Sequence, residues 1–233
     1  MNIDTKLLFG LEKNEFKQTC IILPVALKAL LNAFDVKKIP AQVPFPAINC
    51  DVGTVIIGKT GAAYIGDMML ALEKTSCHNL ILLGSCGVIE ETLELKIGSL
   101  VTPASAYDLE SFSMMLKGDY NAPHVVKPST DMFRFFKEAN RNVIEVRCAT
   151  VGSILLEDKF SRVFRDHKID VVDMECSAFF NAGRKAGKNI LALFFVTDSV
   201  RKNNGYVLWE VEQKQLINDA CVRSVEVLKK WLL

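Results

Sequence analysis

The sequence predicts an α/β fold, in which a mostly parallel or mixed central sheet is covered by helices on both faces. Two observations lead there. Along most of the 233 residues, apolar runs of strand length alternate with amphipathic stretches of helix length, and such alternation favours a sheet buried on both sides. No Gly/Ser-rich or Pro-rich tract and no internal repeat divides the chain, so residues 1–233 are expected to form one domain.

The elements follow in order. "TCIILPV" reads as a strand and "ALKALLNAF" as a helix; "VGTVIIG" is a strand and "AAYIGDMMLALEK" a helix. "NLILLGS" has the continuous apolar character of a fully buried strand. "IGSLVTPASAY" is extended, "TDMFRFFKEAN" helical and "NVIEVRCATVGS" extended again. Then "EDKFSRVFRDH", "IDVVDM", "ECSAFFNAGRKAG" and "NILALFFVTDS" run helix, strand, helix, strand. In the closing stretch, Val211, Ile217, Val225 and Leu228 roughly follow helical spacing.

Composition narrows the class of function. Half of the residues are hydrophobic (50%) and 24% are charged, as in a well-packed globular protein. The formal net charge is +1 with no long run of one sign, so no electrostatic footprint for nucleic acid is present. His78, His124 and His167 lie far apart and show no metal-ligand spacing with a cysteine, so no metal site is expected. The seven cysteines are odd in number, and most sit in apolar segments; they read as buried thiols of a protein in a reducing cytoplasm. "MNIDTKLLFGLEKNEFK" lacks a signal-peptide pattern. No apolar stretch reaches the roughly 20 residues that span a bilayer, and a membrane partner is not expected.

Chemistry is concentrated in four short segments. "VVDMECSAFF", residues 171–180, places Asp173 and Glu175 at a strand-to-helix junction, the kind of position where α/β sheets bind ligands. The same carboxylates also suit a helix N-terminus, where they would cap and meet the positive end of the dipole. "IIGKTGAA" (56–63) and "LLGSCGVI" (82–89) follow apolar strands. Neither is a Walker P-loop nor a Gly-x-Gly-x-x-Gly turn, yet glycine lets backbone N–H groups come close to a ligand. In "FFVTDS" (194–199), Asp198 ends a buried strand. A carboxylate there is costly unless paired, for instance with Arg201 or Lys202, or used.

"GKTGAA", "LLGSCGVI", "DMECSA" and "VTDS" occur in the order and approximate spacing of the nucleoside phosphorylase-I family, which the chain resembles over roughly residues 17 to 232. That family includes purine nucleoside phosphorylases, uridine phosphorylases and methylthioadenosine/S-adenosylhomocysteine nucleosidases. "DMECSA" resembles its most specific segment, and "GSCG" the version common in purine nucleoside phosphorylases. The resemblance implies a single three-layer domain with a central mixed sheet, the signature loops at one end, and assembly into a homo-oligomer. Apolar stretches such as "VPFPAI" and "FSMMLKG" suit buried interfaces.

It also implies roles. Glu175 would hold the ribose hydroxyls as positive charge develops on the sugar, and Met174 would pack on the ribose face. Asp198 would share a proton with purine N7, so that the base leaves neutral. Ser85 and Gly87 would belong to the substrate-binding loop, and Phe160 would stack on the base, although Leu156 replaces the family's small hydroxyl residue nearby. Asp173 would be the structural partner. An aspartate at position 198 marks purine-cleaving members.

Two departures concern the nucleophile. Leu82 stands where phosphorylases carry a phosphate-binding arginine, and "LPVALKALL" lacks the arginine of their loop after the first strand, so a bidentate arginine fork is missing. Ala26, Leu27 and Lys28 stand where nucleosidases place a water-activating glutamate, and Glu12 and Glu15 precede the first strand. The expected function is therefore cleavage of the N-glycosidic bond of a nucleoside, purine rather than pyrimidine. The attacking group would be water or phosphate, with inorganic phosphate as the one conceivable co-substrate and no cofactor. Two alternatives stay open: cleavage of a pyrimidine or modified nucleoside, and a non-catalytic nucleoside-binding protein.

Overall fold

The computed structural model describes residues 4–40, 42–119, 124–200 and 210–233. In chain order it contains α1 (Thr5–Phe9), β1 (Thr19–Leu23), α2 (Lys28–Ala33), β2 (Ala47–Cys50), β3 (Gly53–Ile57), α3 (Ala62–Ala71), β4 (Asn79–Val88) and β5 (Leu100–Leu109). Then follow α4 (Ser111–Lys117), β6 (Val125–Val126), α5 (Thr130–Ala139), β7 (Ile144–Val151), a 3-10 segment (Ile154–Phe160), α6 (Ser161–Asp166), β8 (Val171–Asp173), α7 (Cys176–Lys185), β9 (Asn189–Ser199) and α8 (Val211–Leu232). The result is a mixed α/β domain with a central sheet flanked by helices, as the alternation predicts.

Side-chain alternation along the central strands decides which helices cover which face. Ile21, Leu23, Ile81, Leu83, Leu191 and Leu193 point to one side, where they meet Leu30 and Phe34 near α2 and Ile217, Val225 and Leu228 of α8. Their neighbours Cys20, Ile22, Leu80, Leu82, Ile190 and Ala192 point to the other side, against Ile65 and Met69 of α3 and Phe179 and Ala182 of α7. Because strand side chains have period two, a one-residue slip of any of these strands would exchange the two faces.

The sheet runs β2-β3-β1-β4-β8-β7-β5-β6, and β9 pairs with both β4 and β5. It therefore closes on itself through β4, β8, β7, β5 and β9. β1, β3, β4 and β9 are mutually parallel, as are β5, β7 and β8. The two groups meet antiparallel where Gly87 pairs with Val172 and Val88 with Val171. That crossing brings the carboxyl ends of both groups together, which is where the ligand-binding crevice of an α/β sheet forms.

Several details differ from the sequence reading. "EDKFSRVFRDH" is not one helix: its first residues belong to the 3-10 segment, and α6 begins only at Ser161. The "VPFPAI" stretch is used inside the subunit, with Ala47 and Ile48 in β2 and the Phe45 ring 5.9 Å from that of Phe9. In "FSMMLKG", Phe112 packs so closely on Gly66 that a Cβ there would lie 2.3 Å from the ring, while Met115 is exposed. All seven cysteines are free, and six are buried. Among the described residues, no helix is long and apolar enough to cross a membrane.

Candidate active site

The cleft at the meeting of the two parallel groups encloses about 550 Å3, including space open to solvent at its mouth. Pro24 and Val25 after β1, and Thr60 after β3, form one wall. Ser85, Cys86 and Gly87 of β4 lie across from Val172, Asp173, Met174 and Glu175 at the β8–α7 junction. Val151 of β7, Ile154 and Glu157 of the 3-10 segment, and Thr197 and Asp198 of β9 complete it.

The junction explains why two carboxylates stand two residues apart. Asp173 turns inward and is saturated: it accepts from Thr150 Oγ1 at 2.7 Å, Cys148 Sγ at 3.3 Å, and the backbone N–H groups of Glu175 at 2.9 Å and Cys176 at 2.6 Å. Those two N–H groups belong to the start of α7, where they lack intrahelical partners. Thr150 Oγ1 in turn accepts from the Ser177 N–H at 2.8 Å. Asp173 thus fastens α7 to β7 and β8, the structural part expected of it. The donor atoms of Cys148, Asp173 and Cys176 lie within 4.8 Å of one another. Burial holds the Cys148 thiol well above its usual range and pushes Cys176 up to about 11, and the Cys148 thiol and the Cys176 backbone N–H both donate to Asp173.

Glu175 is 5% exposed. Its Oε1 accepts from the Gly61 N–H at 2.5 Å. Burial, then the neighbouring Asp173, push its carboxyl up to about 8, and the Gly61 hydrogen bond opposes this. Gly61 has φ +117°, a conformation that residues with a Cβ rarely adopt. The glycine of "GKTG" is thus needed for its backbone, and its N–H serves Glu175 rather than standing bare for a ligand.

A bulge aims Asp198. β4 and β9 keep register through Cys86 and Val196, and then Gly87 pairs with Asp198, leaving Thr197 as the extra residue. Such a bulge redirects side chains. Thr197 Oγ1 donates to Asp198 Oδ1 at 2.7 Å, and burial raises the Asp198 carboxyl. A Cβ on Gly87 would lie 2.8 Å from Asp198 Oδ2, so the glycine leaves room for the carboxylate.

Of the residues singled out in the sequence, Glu175, Asp198, Met174, Ser85 and Gly87 all line the cleft. Phe160 is placed elsewhere: it packs with Phe164, ring centroids 6.4 Å apart, in a satellite core with Val172. The 3-10 segment winds more tightly than an α-helix and presents Ile154 and Glu157 to the cleft instead. Glu157 was not anticipated; its only signal was its place within "GSILLEDKFS". Leu82 is buried in the apolar core, and Lys28 is exposed at the start of α2. Glu12 pairs with Lys6 at 3.1 Å, and Glu15 accepts from the Glu12 N–H. None of these four residues lines the cleft. Arg201 and Lys202 lie outside the described residues.

The family model of the phosphorylase superfamily matches residues 40–230. The chain belongs to the phosphorylase superfamily. Its fold is shared with uridine phosphorylase from Vibrio fischeri ES114, at 16% identity and TM-score 0.78, over 95% of this chain and 94% of that one. Purine nucleoside phosphorylase from Toxoplasma gondii, in complex with immucillin-H, aligns at 16% identity and TM-score 0.74 over 99% and 98% of the two chains. AMP nucleosidase from Bacteroides thetaiotaomicron VPI-5482 aligns at 18% identity and TM-score 0.70 over 96% of each chain. A sequence search of curated proteins finds no match. Membership of the superfamily gives this chain an activity of the nucleoside phosphorylase or nucleosidase kind. The likeness spans both purine and uridine enzymes.

Proposed function

We propose that the protein releases the base of a purine nucleoside by cleaving the N-glycosidic bond with water, in the cleft shared by Glu175 and Asp198. The observation that carries this is their separation of place within one pocket. Glu175 comes from the β8–α7 junction beside the loop after β3, and Asp198 from the bulge of β9. Breaking the bond creates an oxocarbenium-like sugar and an anionic base, so a carboxylate is wanted near one and a proton donor near the other. Glu175 would hold the ribose hydroxyls and, in its ionised form, oppose the developing positive charge. Met174, beside it, would pack on the sugar. Asp198, raised by burial, would supply the proton to a ring nitrogen of the base, an effect typically worth ~10²–10⁴-fold. Ser85 and Gly87 line the same cleft.

Charge favours water over phosphate. Among the described residues that line the cleft, none is basic, whereas Glu157, Asp173, Glu175 and Asp198 are acidic. Among these described residues a phosphate anion would find no cation to receive it. No cofactor is invoked. On the same reading the chain is a cytoplasmic homo-oligomer; the exposed Val25 of the cleft and the exposed Leu155 and Leu156 of the 3-10 segment suit burial against another copy, and a monomer in sedimentation at micromolar concentration would contradict that.

The test is a panel of adenosine, inosine, guanosine, uridine and cytidine incubated with the protein, with free base followed by chromatography. Release from the purine nucleosides is expected. Release from pyrimidine nucleosides alone would overturn the substrate class, and release from none would overturn catalysis.

A further inference from the structure

Thr197, the extra residue of the β9 bulge, has no part in the mechanism above. Successive side chains of a regular strand point to opposite faces of its sheet, so neighbours along it do not meet. The register shift between Cys86 and Gly87 breaks that rule. Thr197 Oγ1 lies 2.7 Å from Oδ1 of the very next residue, Asp198. Thr197 is buried and lines the cleft together with Asp198. A second acceptor, the Cys86 carbonyl of β4, lies 3.4 Å from the same hydroxyl. The hydroxyl has one proton to donate, and the shorter contact, to a carboxylate, is the stronger of the two. The other oxygen of Asp198, Oδ2, stands beside Gly87, where a Cβ would lie 2.8 Å from it.

We propose that Thr197 is the positioning residue of the proton donor: its hydroxyl fixes Oδ1 of Asp198, so that Oδ2 carries the proton to the departing base. This deepens the function proposed above and rests on it. The hydrogen bond restrains rotation of the carboxyl, so the donating oxygen is in place before substrate binds. It also strengthens as the carboxyl gives up its proton, because a donor to a carboxylate is worth roughly twice a donor to a neutral acid. An interaction that grows along the reaction lowers its barrier. Burial raises the Asp198 carboxyl and makes it a reluctant acid, and the Thr197 hydroxyl opposes that rise. The bulge is thus the device that brings the hydroxyl to the acid.

The step balances. The C1′–N bond breaks and its electron pair passes to the base. The proton on Asp198 Oδ2 moves to a ring nitrogen, and the base departs neutral. Thr197 keeps its own proton and holds the carboxylate that remains. The oxygen of water bonds to C1′, and the proton that water loses returns to Asp198. Among the described residues, the other titratable groups of the cleft are Glu157 of the 3-10 segment, Asp173 and Glu175 of the β8–α7 junction, and Cys86 of β4. Of all these carboxyls and the thiol, the Thr197 hydroxyl bonds Asp198.

The experiment uses the intact protein, the variants Thr197→Val and Thr197→Ser, and two readouts. Without substrate, carboxyl titrations are followed by infrared spectroscopy, and that of Asp198 is assigned by its loss in Asp198→Asn. It should move to higher pH in Thr197→Val, which lacks the hydroxyl, and stay in place in Thr197→Ser, which keeps it. With substrate, Thr197→Val should lower kcat for a purine nucleoside by ~10-fold or more at little change in KM. A nitrophenyl riboside, whose departure needs no proton, should lose far less. The alkaline limb of kcat/KM should also move to higher pH, because the acid is active while protonated and now holds its proton longer. Thr197→Ser should restore rate and limb together. Should Thr197→Val fail to fold, Thr197→Ala against Thr197→Ser reads the same difference. A loss of rate that Thr197→Ser shares, with the limb unmoved, would mean packing alone and overturn the proposal. Base release equal in wild type and Thr197→Val would leave the proposed function standing and remove Thr197 from it. A shifted titration with no base release from any nucleoside would overturn catalysis, and the positioning role with it.

Discussion

The backbone N–H of Gly61 lies 2.5 Å from Glu175 Oε1, joining the loop after β3 to the strand–helix junction 114 residues later. One oxygen of Glu175 is thereby fixed, and the carboxylate is oriented before any substrate arrives. Preorganised groups of this kind act without reorganisation in the reaction. A Cβ at Gly61 would meet nothing within 4 Å, but φ there is +117°. Gly61→Ala should therefore act through backbone strain and not through a clash. It is expected to cost about 1–3 kcal/mol in urea unfolding and to lower kcat/KM by moving the donor away from Glu175. Unchanged stability and activity would show that the loop tolerates a side chain.

Glu175 and Asp198 should separate by leaving group. Glu175→Gln is expected to slow cleavage on the order of 10²-fold, about 2.7 kcal/mol, whatever the base. Asp198→Asn should slow ordinary nucleosides by a similar factor and spare a nitrophenyl riboside, whose departure needs no proton. Equal losses on good and poor leaving groups in Asp198→Asn would remove its proton-donor role.

Asp173→Asn should be felt first in stability. An asparagine offers one acceptor oxygen where the carboxylate serves four donors, and its amide would face N–H groups. A loss of about 1–3 kcal/mol in urea unfolding is expected. Kinetics measured well below the unfolding transition should be less affected than in Glu175→Gln. A variant as stable as the wild type would contradict the anchoring role.

The stability of the empty protein should fall as pH rises. The folded-state ionisation of Glu175 is raised to about 8 from the ordinary 4.5, so between those values the native state keeps a proton that the unfolded chain has lost. By linkage, its contribution is complete below about 4.5 and is lost progressively as pH climbs to about 8. Glu175→Gln removes this pH dependence and can still accept from Gly61. Its stability curve should be flatter, and above pH 8 it should be more stable than the wild type. Parallel pH–stability curves for the two proteins would contradict the burial argument.

What the sequence disclosed was whatever depends on local order. The strand-to-helix step at "VVDMECSAFF" and the carboxylate ending "FFVTDS" are local patterns, and both proved to lie at carboxyl ends of strands facing one cleft. The division of labour between Asp173 and Glu175 follows from side-chain direction at that step. Glu157 stayed hidden because a helical reading of "EDKFSRVFRDH" makes its carboxylate an ordinary charge at a helix start. Only the 3-10 winding and the closure of the sheet through β5 and β9 bring it to the cleft that Asp198 also lines. The same winding sends Phe160 to Phe164. The bulge that sets Asp198 opposite Gly87 is likewise a property of two strands about 110 residues apart, which no short window of sequence contains.

The most direct test of hydrolysis at this cleft is the product made from a purine nucleoside with and without added inorganic phosphate. Base and sugar would be identified by mass spectrometry for the wild type and for Glu175→Gln. The expected result is free base with unphosphorylated ribose, at a rate that phosphate does not raise and that Glu175→Gln lowers by about 10²-fold. Ribose 1-phosphate formed only when phosphate is present would contradict water as the nucleophile, and base release unaffected by Glu175→Gln would contradict the cleft as its site.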